Sequence, residues 1–285
     1  MDIVGICEEW LYFKLYGGAI LLEDLLLRKI WPLLSAYVYK EEISTLFFVR
    51  YADPEYHLRI RFKCPTLDIF INLIREVDGL LKPYVKTSLI KVKVACYERE
   101  INRYSCYPMD VVEELFAVSS SSVINCLVKA SRESEYLFIG GLLGIWTFEA
   151  FNIDSNIAQS LSKKWSSNML EDLNCNKNFS RAINKEFHKY KRSLELATNQ
   201  KFEDFETLNA SWISEIYELY IEQIQYTLGE LKQKKNGIES FISSFLHMTY
   251  NRLFMENSRI LEAVVYTFLS KLYAGINARA NAETP

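Results

Sequence analysis

Along the first hundred residues, four short stretches alternate apolar with polar residues or run richly aromatic, and helical periodicity fills the intervals. WLYFKLY (Trp10–Tyr16) predicts a strand, ended by Gly17-Gly18. Ile20–Ser35 repeats leucines at helical spacing, with Pro32 expected to kink it or end it early. STLFFVRY (Ser44–Tyr51) predicts a second strand, with Asp53-Pro54 turning the chain after it. Tyr56–Lys63 predicts a third, closed by Cys64-Pro65. Leu67–Leu81 returns to helical spacing and should stop at Lys82-Pro83, and SLIKVKVACY (Ser88–Tyr97) predicts a fourth strand. The order β-α-β-β-α-β is that of a ferredoxin-like layer.

Beyond Pro108 no proline occurs until Pro285, so 176 residues lack the strongest helix breaker. Helical segments are predicted over 110–130, 133–151, 157–173, 180–197, 203–234, 238–255 and 259–272, with a frayed tail after them. The expected class is α+β. It comprises a ferredoxin-like layer over residues 1–107, a larger all-α part over 108–275 sharing its core, and a tail over 276–285.

Composition narrows the function. The 285 residues are 49% hydrophobic and 24% charged, which is globular usage and excludes disorder and coiled coil. Split at Pro108, the first part carries 15 basic and 14 acidic groups and the second 18 and 22. Neither has the basic excess of a nucleic-acid-wrapping protein, so no direct nucleic-acid partner is expected. The longest uncharged runs, Leu115–Val128 and Tyr136–Phe148, are too short for a membrane span. MDIVGICEEW lacks the basic start of a signal peptide. Six cysteines (7, 64, 96, 106, 126, 175) and three histidines show no metal-ligand spacing. Reduced thiols, a cytoplasmic location, no metal and no cofactor are expected. There is no P-loop, GxGxxG, GxSxG or HExxH motif.

Three polar constellations stand out. In HLRIRFK, alternation puts His57, Arg59, Arg61 and Lys63 on one face of a strand. Four such groups in register repel unless an anion sits among them, although a solvated face with salt bridges is the simpler reading. In YEREINRY, Glu100 and Arg103 are three residues apart and would pair within a helical turn. In SSFLHMTYNRL, His247 and Asn251 share a helical face, with Ser243 or Ser244 one turn earlier. A single histidine on an apolar helix is more often a satisfied core residue than a catalyst.

Taken together, WLYFKLY, FFVRYADPEYHLRIRF, YEREINRY and LHMTYNRL resemble the SpaB C-terminal, thiopeptide-type bacteriocin biosynthesis family over residues 9–275. That family is the glutamate-elimination domain of class I lanthipeptide dehydratases, and also occurs as stand-alone proteins. The resemblance implies a lyase acting on a ribosomal precursor peptide whose Ser or Thr carries a glutamyl ester installed by a separate glutamylating, tRNA-dependent partner. The Cα proton is removed and glutamate expelled, leaving dehydroalanine or dehydrobutyrine. It implies that Arg61 and Arg103 hold the glutamyl group, that Arg59 and Asn251 assist binding, and that Glu100 orients Arg103 or moves a proton. His247 would be the general acid/base, with the choice between Glu100 and His247 left open. Homodimerisation follows only by family analogy.

One departure from the family pattern is Ser105-Cys106, where glycines often follow the Arg-Tyr pair. The alternatives are a pyridine synthase, which joins two dehydroalanines in a formal [4+2] cycloaddition and releases the leader peptide, and a non-catalytic precursor-binding scaffold. Retention of Arg61, Glu100, Arg103 and His247 favours elimination over both.

Overall fold

The computed structural model describes residues 2–5, 8–130, 135–205, 210–229 and 237–283. The chain is α+β and divides into two compact units, residues 1–124 and 125–285.

In the first unit, β1 (Asp2–Val4) precedes β2 (Trp10–Gly17), and α1 (Ala19–Leu25) runs through a π-turn at Leu26–Ile30 into α2 (Trp31–Tyr39). Pro32 does not end this helix. Its missing N–H falls at the first turn of α2, directly after the wider turn, so the helix continues to Tyr39. Then follow β3 (Leu46–Tyr51), β4 (His57–Lys63), α3 (Leu67–Lys86), β5 (Ile90–Val94) and β6 (Tyr97–Arg99). The expected stop at Lys82-Pro83 is also overrun, since α3 carries Pro83 inside it to Lys86. Leu81 in that last stretch is buried, so packing holds the turn that contains Pro83.

The sheet order is β3-β4-β2-β5, with every neighbouring pair antiparallel. A side chain's face follows from the pleat. Leu11, Phe13, Leu15, Phe48, Leu58, Ile60 and Phe62 form one face, and all are buried. Trp31 of α2 meets Phe48 edge-on, which marks this as the helix-covered face. The fourth predicted strand is split: β5 closes the sheet edge, whereas β6 leaves it to pair with β1, Val4 opposite Tyr97 and Asp2 opposite Arg99.

Next comes α4 (Met109–Lys129), which contains the division between the units. Its first part belongs with the sheet and not, as expected, with the helical part. Phe116 packs on Phe47, and the Ser120 hydroxyl accepts from the Phe48 backbone N–H. Among the described helices, α4 alone combines the length and apolarity that could cross a membrane, and 67% of that window is buried inside the protein.

The second unit contains α5 (Tyr136–Ala150), α6 (Ser155–Asp172), α7 (Lys177–Ala197), a 3-10 turn at Phe202–Asp204, α8 (Ala210–Leu228), α9 (Ile238–Leu253) and α10 (Ser258–Glu283). Parts of the predicted 133–151 and 203–234 helices lie outside the described residues. α10 continues to Glu283, through residues expected as tail. An apolar sequence on all sides predicts a central helix, and α5 is one, with twelve buried residues. Its glycines permit close packing. A Cβ on Gly140 would lie 2.9 Å from Val265, on Gly141 2.8 Å from Leu194, and on Gly144 2.6 Å from Leu269 and 2.7 Å from the Tyr250 hydroxyl. The Gly140-Gly141 pair is therefore a packing device.

Candidate active site

The second face of the sheet carries the chemistry. His57, Arg59 and Arg61 of β4 lie opposite Tyr16, Lys14 and Tyr12 of β2 on one side and Tyr51, Val49 and Phe47 of β3 on the other. Their predicted mutual repulsion is softened by aromatic rings. The Arg59 guanidinium stacks 3.4 Å from the Tyr51 ring centre, and His57 stacks on Tyr16 at 4.6 Å. The Arg61 guanidinium lies 4.3 Å from the centre of Tyr12, 4.7 Å from Tyr97 and 5.5 Å from Phe47. Lys63 leaves the group by pairing with Glu9 at 3.0 Å.

Arg61 is 8% exposed, and its Nε–H has no hydrogen-bond partner among the described residues. Nor does any carboxylate of the described residues form an ion pair with it. Burying a cation in this state is costly.

A cleft of about 630 Å³ opens over this face, within the range of small-ligand sites. Tyr12, Lys14, Arg59 and Arg61 line it from the sheet, and Glu98 to Arg103 line it from β6 and the turn that follows. Four predicted site residues, Arg59, Arg61, Glu100 and Arg103, therefore share one cavity. The predicted Glu100–Arg103 pair forms at 3.2 Å across a turn in which the Arg103 N–H donates to the Glu100 carbonyl. Neither Ser105 nor Cys106 occupies the left-handed region, so the turn needs no glycine there.

Arg99 sits on the same wall but is neutralised. Its Nε donates to Glu113 Oε1 at 2.8 Å, and a terminal nitrogen reaches Glu113 Oε2 and Glu9 Oε1 at 3.0 Å each and Asp110 at 3.4 Å. Burial raises the Glu113 carboxyl from its ordinary range, against the opposing pull of Arg99 and Tyr97.

His57 anchors the row from its buried end. Its Nδ1 faces the Glu55 carbonyl at 2.8 Å and its Nε2 accepts from Arg59 Nε at 3.0 Å, which assigns the proton to Nδ1. Burial lowers its pKa, the Glu55 carbonyl opposes this, and Arg59 and Lys14 lower it further. The unfolded chain therefore binds this proton more readily than the folded one. Stability is full above about pH 6.5, the value of a free histidine, and falls as pH drops through the lowered folded value. Urea midpoints measured from pH 8 to pH 5 should decline with pH, and decline less steeply in His57→Gln. Equal slopes would remove His57 as the responsible group.

The remaining predicted residues belong to the second unit. His247 and Asn251 sit one turn apart on α9, both half-buried. His247 Nδ1 faces Glu262 of α10, 2.9 Å from Oε2 and 3.2 Å from Oε1, and the Tyr266 hydroxyl donates to Glu262 Oε1 at 2.9 Å. Glu262 is 3% exposed, whereas the His247 side chain is 42% exposed. A buried carboxylate against Nδ1 fixes the orientation of the imidazole, whose side chain stays partly exposed. Glu262 escaped sequence reasoning because it lies on another helix with no motif linking it to His247. Tyr12 and Lys14 escaped because strand alternation places them on a face without revealing what lies opposite.

The first unit thus carries a cationic cleft on an antiparallel sheet, and the second carries a histidine held by a buried carboxylate. Residues 10–273 match the family model described as lantibiotic biosynthesis dehydratase, C-terminal, and the chain belongs to that family. It is 31% identical over 122 residues to the nisin biosynthesis protein NisB of Lactococcus lactis subsp. lactis, a match covering 42% of this chain and 12% of NisB. It is 28% identical over 146 residues to the subtilin biosynthesis protein SpaB of Bacillus subtilis, covering 50% of this chain and 14% of SpaB. The chain thus matches a small fraction of the length of these relatives. Among solved structures it is similar in fold to the tRNA-dependent lantibiotic dehydratase MibB from Microbispora sp. 107891, with a TM-score of 0.73 and 18% identity over 98% of this chain and 29% of that one. It is also similar to the pyridine synthase TbtD from thiomuracin biosynthesis, with a TM-score of 0.61 and 14% identity over 94% and 99% of the two chains.

Proposed function

We propose that this protein eliminates glutamate from glutamylated Ser or Thr residues of a ribosomal precursor peptide, giving dehydroalanine or dehydrobutyrine. The observation that carries this reading is the desolvated, unpaired Arg61 in the same cleft as Arg59, Glu100 and Arg103. Glutamate delivered from tRNA is esterified through its α-carboxyl, so the adduct presents a free side-chain carboxylate and an α-ammonium group. Arg61 and Arg103 suit the carboxylate and carbonyl oxygens, for which guanidinium forks are matched donors. Arg59, held flat on Tyr51, adds positive potential to the cleft, and Glu100 aims Arg103. As charge develops on the peptide carbonyl during Cα proton removal, these fixed cations stabilise it without reorganising.

His247, oriented by Glu262, is the general acid/base of this reading, and Asn251 one turn away is a substrate contact. The glutamylated precursor comes from a glutamylating partner, and a second copy of this chain is the remaining partner we infer. The five described cysteines are free thiols, in keeping with a cytoplasmic site of action. The strand order β3-β4-β2-β5, with each helical segment linking two parallel strands that flank a third, supports reading the sheet layer as ferredoxin-like.

The test is mass spectrometry of a glutamylated precursor peptide incubated with the protein in the absence of tRNA. The expected result is loss of glutamate with dehydrated residues in the product. Persistent glutamyl esters, together with leader release and a pyridine macrocycle from a peptide bearing two dehydroalanines, would assign the cycloaddition. Persistence of both peptides unchanged would leave a scaffold.

A further inference from the structure

The sheet face contains a second electrostatic feature, distinct from Arg61 itself. Lys14 of β2 lies directly opposite Arg59 of β4 on one side and directly opposite Lys93 of β5 on the other. Like charges in directly opposed positions destabilise a sheet, yet three cations here form one cross-strand row. Lys14 is half-buried and lines the cleft, its Nζ 5.3 Å from the centre of the Tyr12 ring, and it forms no ion pair with a carboxylate of the described residues.

The row is relieved most directly if its central member gives up its proton. Lys14 is that member. Arg59 is far too basic to do so, and Lys93 lies nearer the sheet edge, since β5 is the edge strand.

Resting on the elimination reading, we propose that Lys14 is the base that removes the Cα proton of the glutamylated residue. The Nζ lone pair takes the proton. The C–H electron pair becomes the Cα=Cβ bond, and the Cβ–O bond breaks with its pair leaving on the glutamate carboxylate. Charge passing through the neighbouring peptide carbonyl meets Arg61 and the Tyr12 hydroxyl, a buried donor with no partner among the described residues. The Lys14 ammonium then returns its proton to solvent through the open cleft.

Two other candidates around this cleft are committed elsewhere. Glu100 is held by Arg103, and both ring nitrogens of His57 are engaged. Every group facing Lys14 bears on its basicity. Burial lowers its pKa most, Arg59 and Arg61 of β4 lower it next, Glu98 of β6 opposes them, and Lys93 of β5 adds a smaller push downward. Tyr12 beside it on β2 is itself raised, chiefly by burial, and stays neutral. A neutral amine fraction near working pH is what a proton-abstracting lysine requires.

Two experiments separate this proposal from the reading beneath it. Competitive acetylation with acetic anhydride between pH 6 and pH 10, followed by peptide mapping, should label Lys14 at lower pH than the exposed Lys163. Coincident labelling curves would overturn the proposal. Under single-turnover conditions with glutamylated peptide, Lys14→Arg, which keeps the charge but cannot act as a base, should lower the elimination rate by about 100-fold or more. Its KM should stay within about threefold of the native value, and the acidic limb of the pH–rate profile should vanish. Lys14→Met should behave alike. A Lys14→Arg protein as active as the native one would overturn the base assignment alone. A native protein that releases no glutamate would overturn both, and early Lys14 labelling in that case would locate the failure in the elimination reading.

Discussion

Replacing Arg61 with methionine should reduce glutamate elimination by about 100- to 1000-fold, the scale on which removing one preorganised donor to a developing charge is felt. The same substitution should leave unfolding free energy unchanged or raise it by about 1 kcal/mol. Both expectations arise from one fact: Arg61 is buried against Tyr12, Phe47 and Tyr97 with no carboxylate partner among the described residues. Methionine fills similar volume and keeps the aromatic contacts while removing an uncompensated charge. Arg61→Lys should recover little activity, because an ammonium cannot present two parallel donors. The measurements are initial rates on glutamylated peptide and urea denaturation of the same variants. Activity within threefold of native in Arg61→Met would end the role assigned to Arg61, and a large loss of stability would make it a structural cation instead.

Glu113→Ala should cost the first unit about 3 kcal/mol, since breaking a buried ion pair leaves the partner charge stranded. Glu113 is 1% exposed and receives two hydrogen bonds from Arg99, which ties β6 to α4. The cost should fall near the lower end for such pairs because Glu9 and Asp110 also reach Arg99. The double variant Arg99→Met, Glu113→Leu should recover most of the loss, as removing both charges removes the penalty. Chemical denaturation followed by circular dichroism measures all three. If the double variant is no more stable than Glu113→Ala, the loss lies in packing and not in the stranded guanidinium. Since Arg99 stands immediately before Glu100, Glu113→Ala should also weaken elimination by displacing the Glu100–Arg103 turn.

Local pattern made much of this protein legible. The alternation in HLRIRFK was enough to place His57, Arg59 and Arg61 on one face, because side-chain direction in a strand depends only on parity. The three-residue spacing of Glu100 and Arg103 was enough to predict their pair, because a single turn decides it. Helical spacing was enough to predict a helix through the uncharged run Tyr136–Phe148, which α5 covers. The errors were local as well. Pro32 was read as a kink or an early end and Pro83 as a stop, yet a proline in the first turn of a helix costs little, and one near its end removes a single bond.

What the sequence determined by itself was therefore the α+β class, the order of the elements, the charged strand face and the family resemblance, all carried by neighbours along the chain. Tertiary structure alone decided the rest. Strand register set Lys14 between Arg59 and Lys93 and laid Tyr12 under Arg61. Pairing of β6 with β1 carried Glu100 and Arg103 off the sheet edge to the cleft wall. The packing of α10 beside α9 put Glu262 behind His247. Each of these joins residues remote in sequence, and for Lys14 and Tyr12 burial is the largest influence on basicity, since desolvation depends on what closes over a side chain and not on its neighbours in the chain.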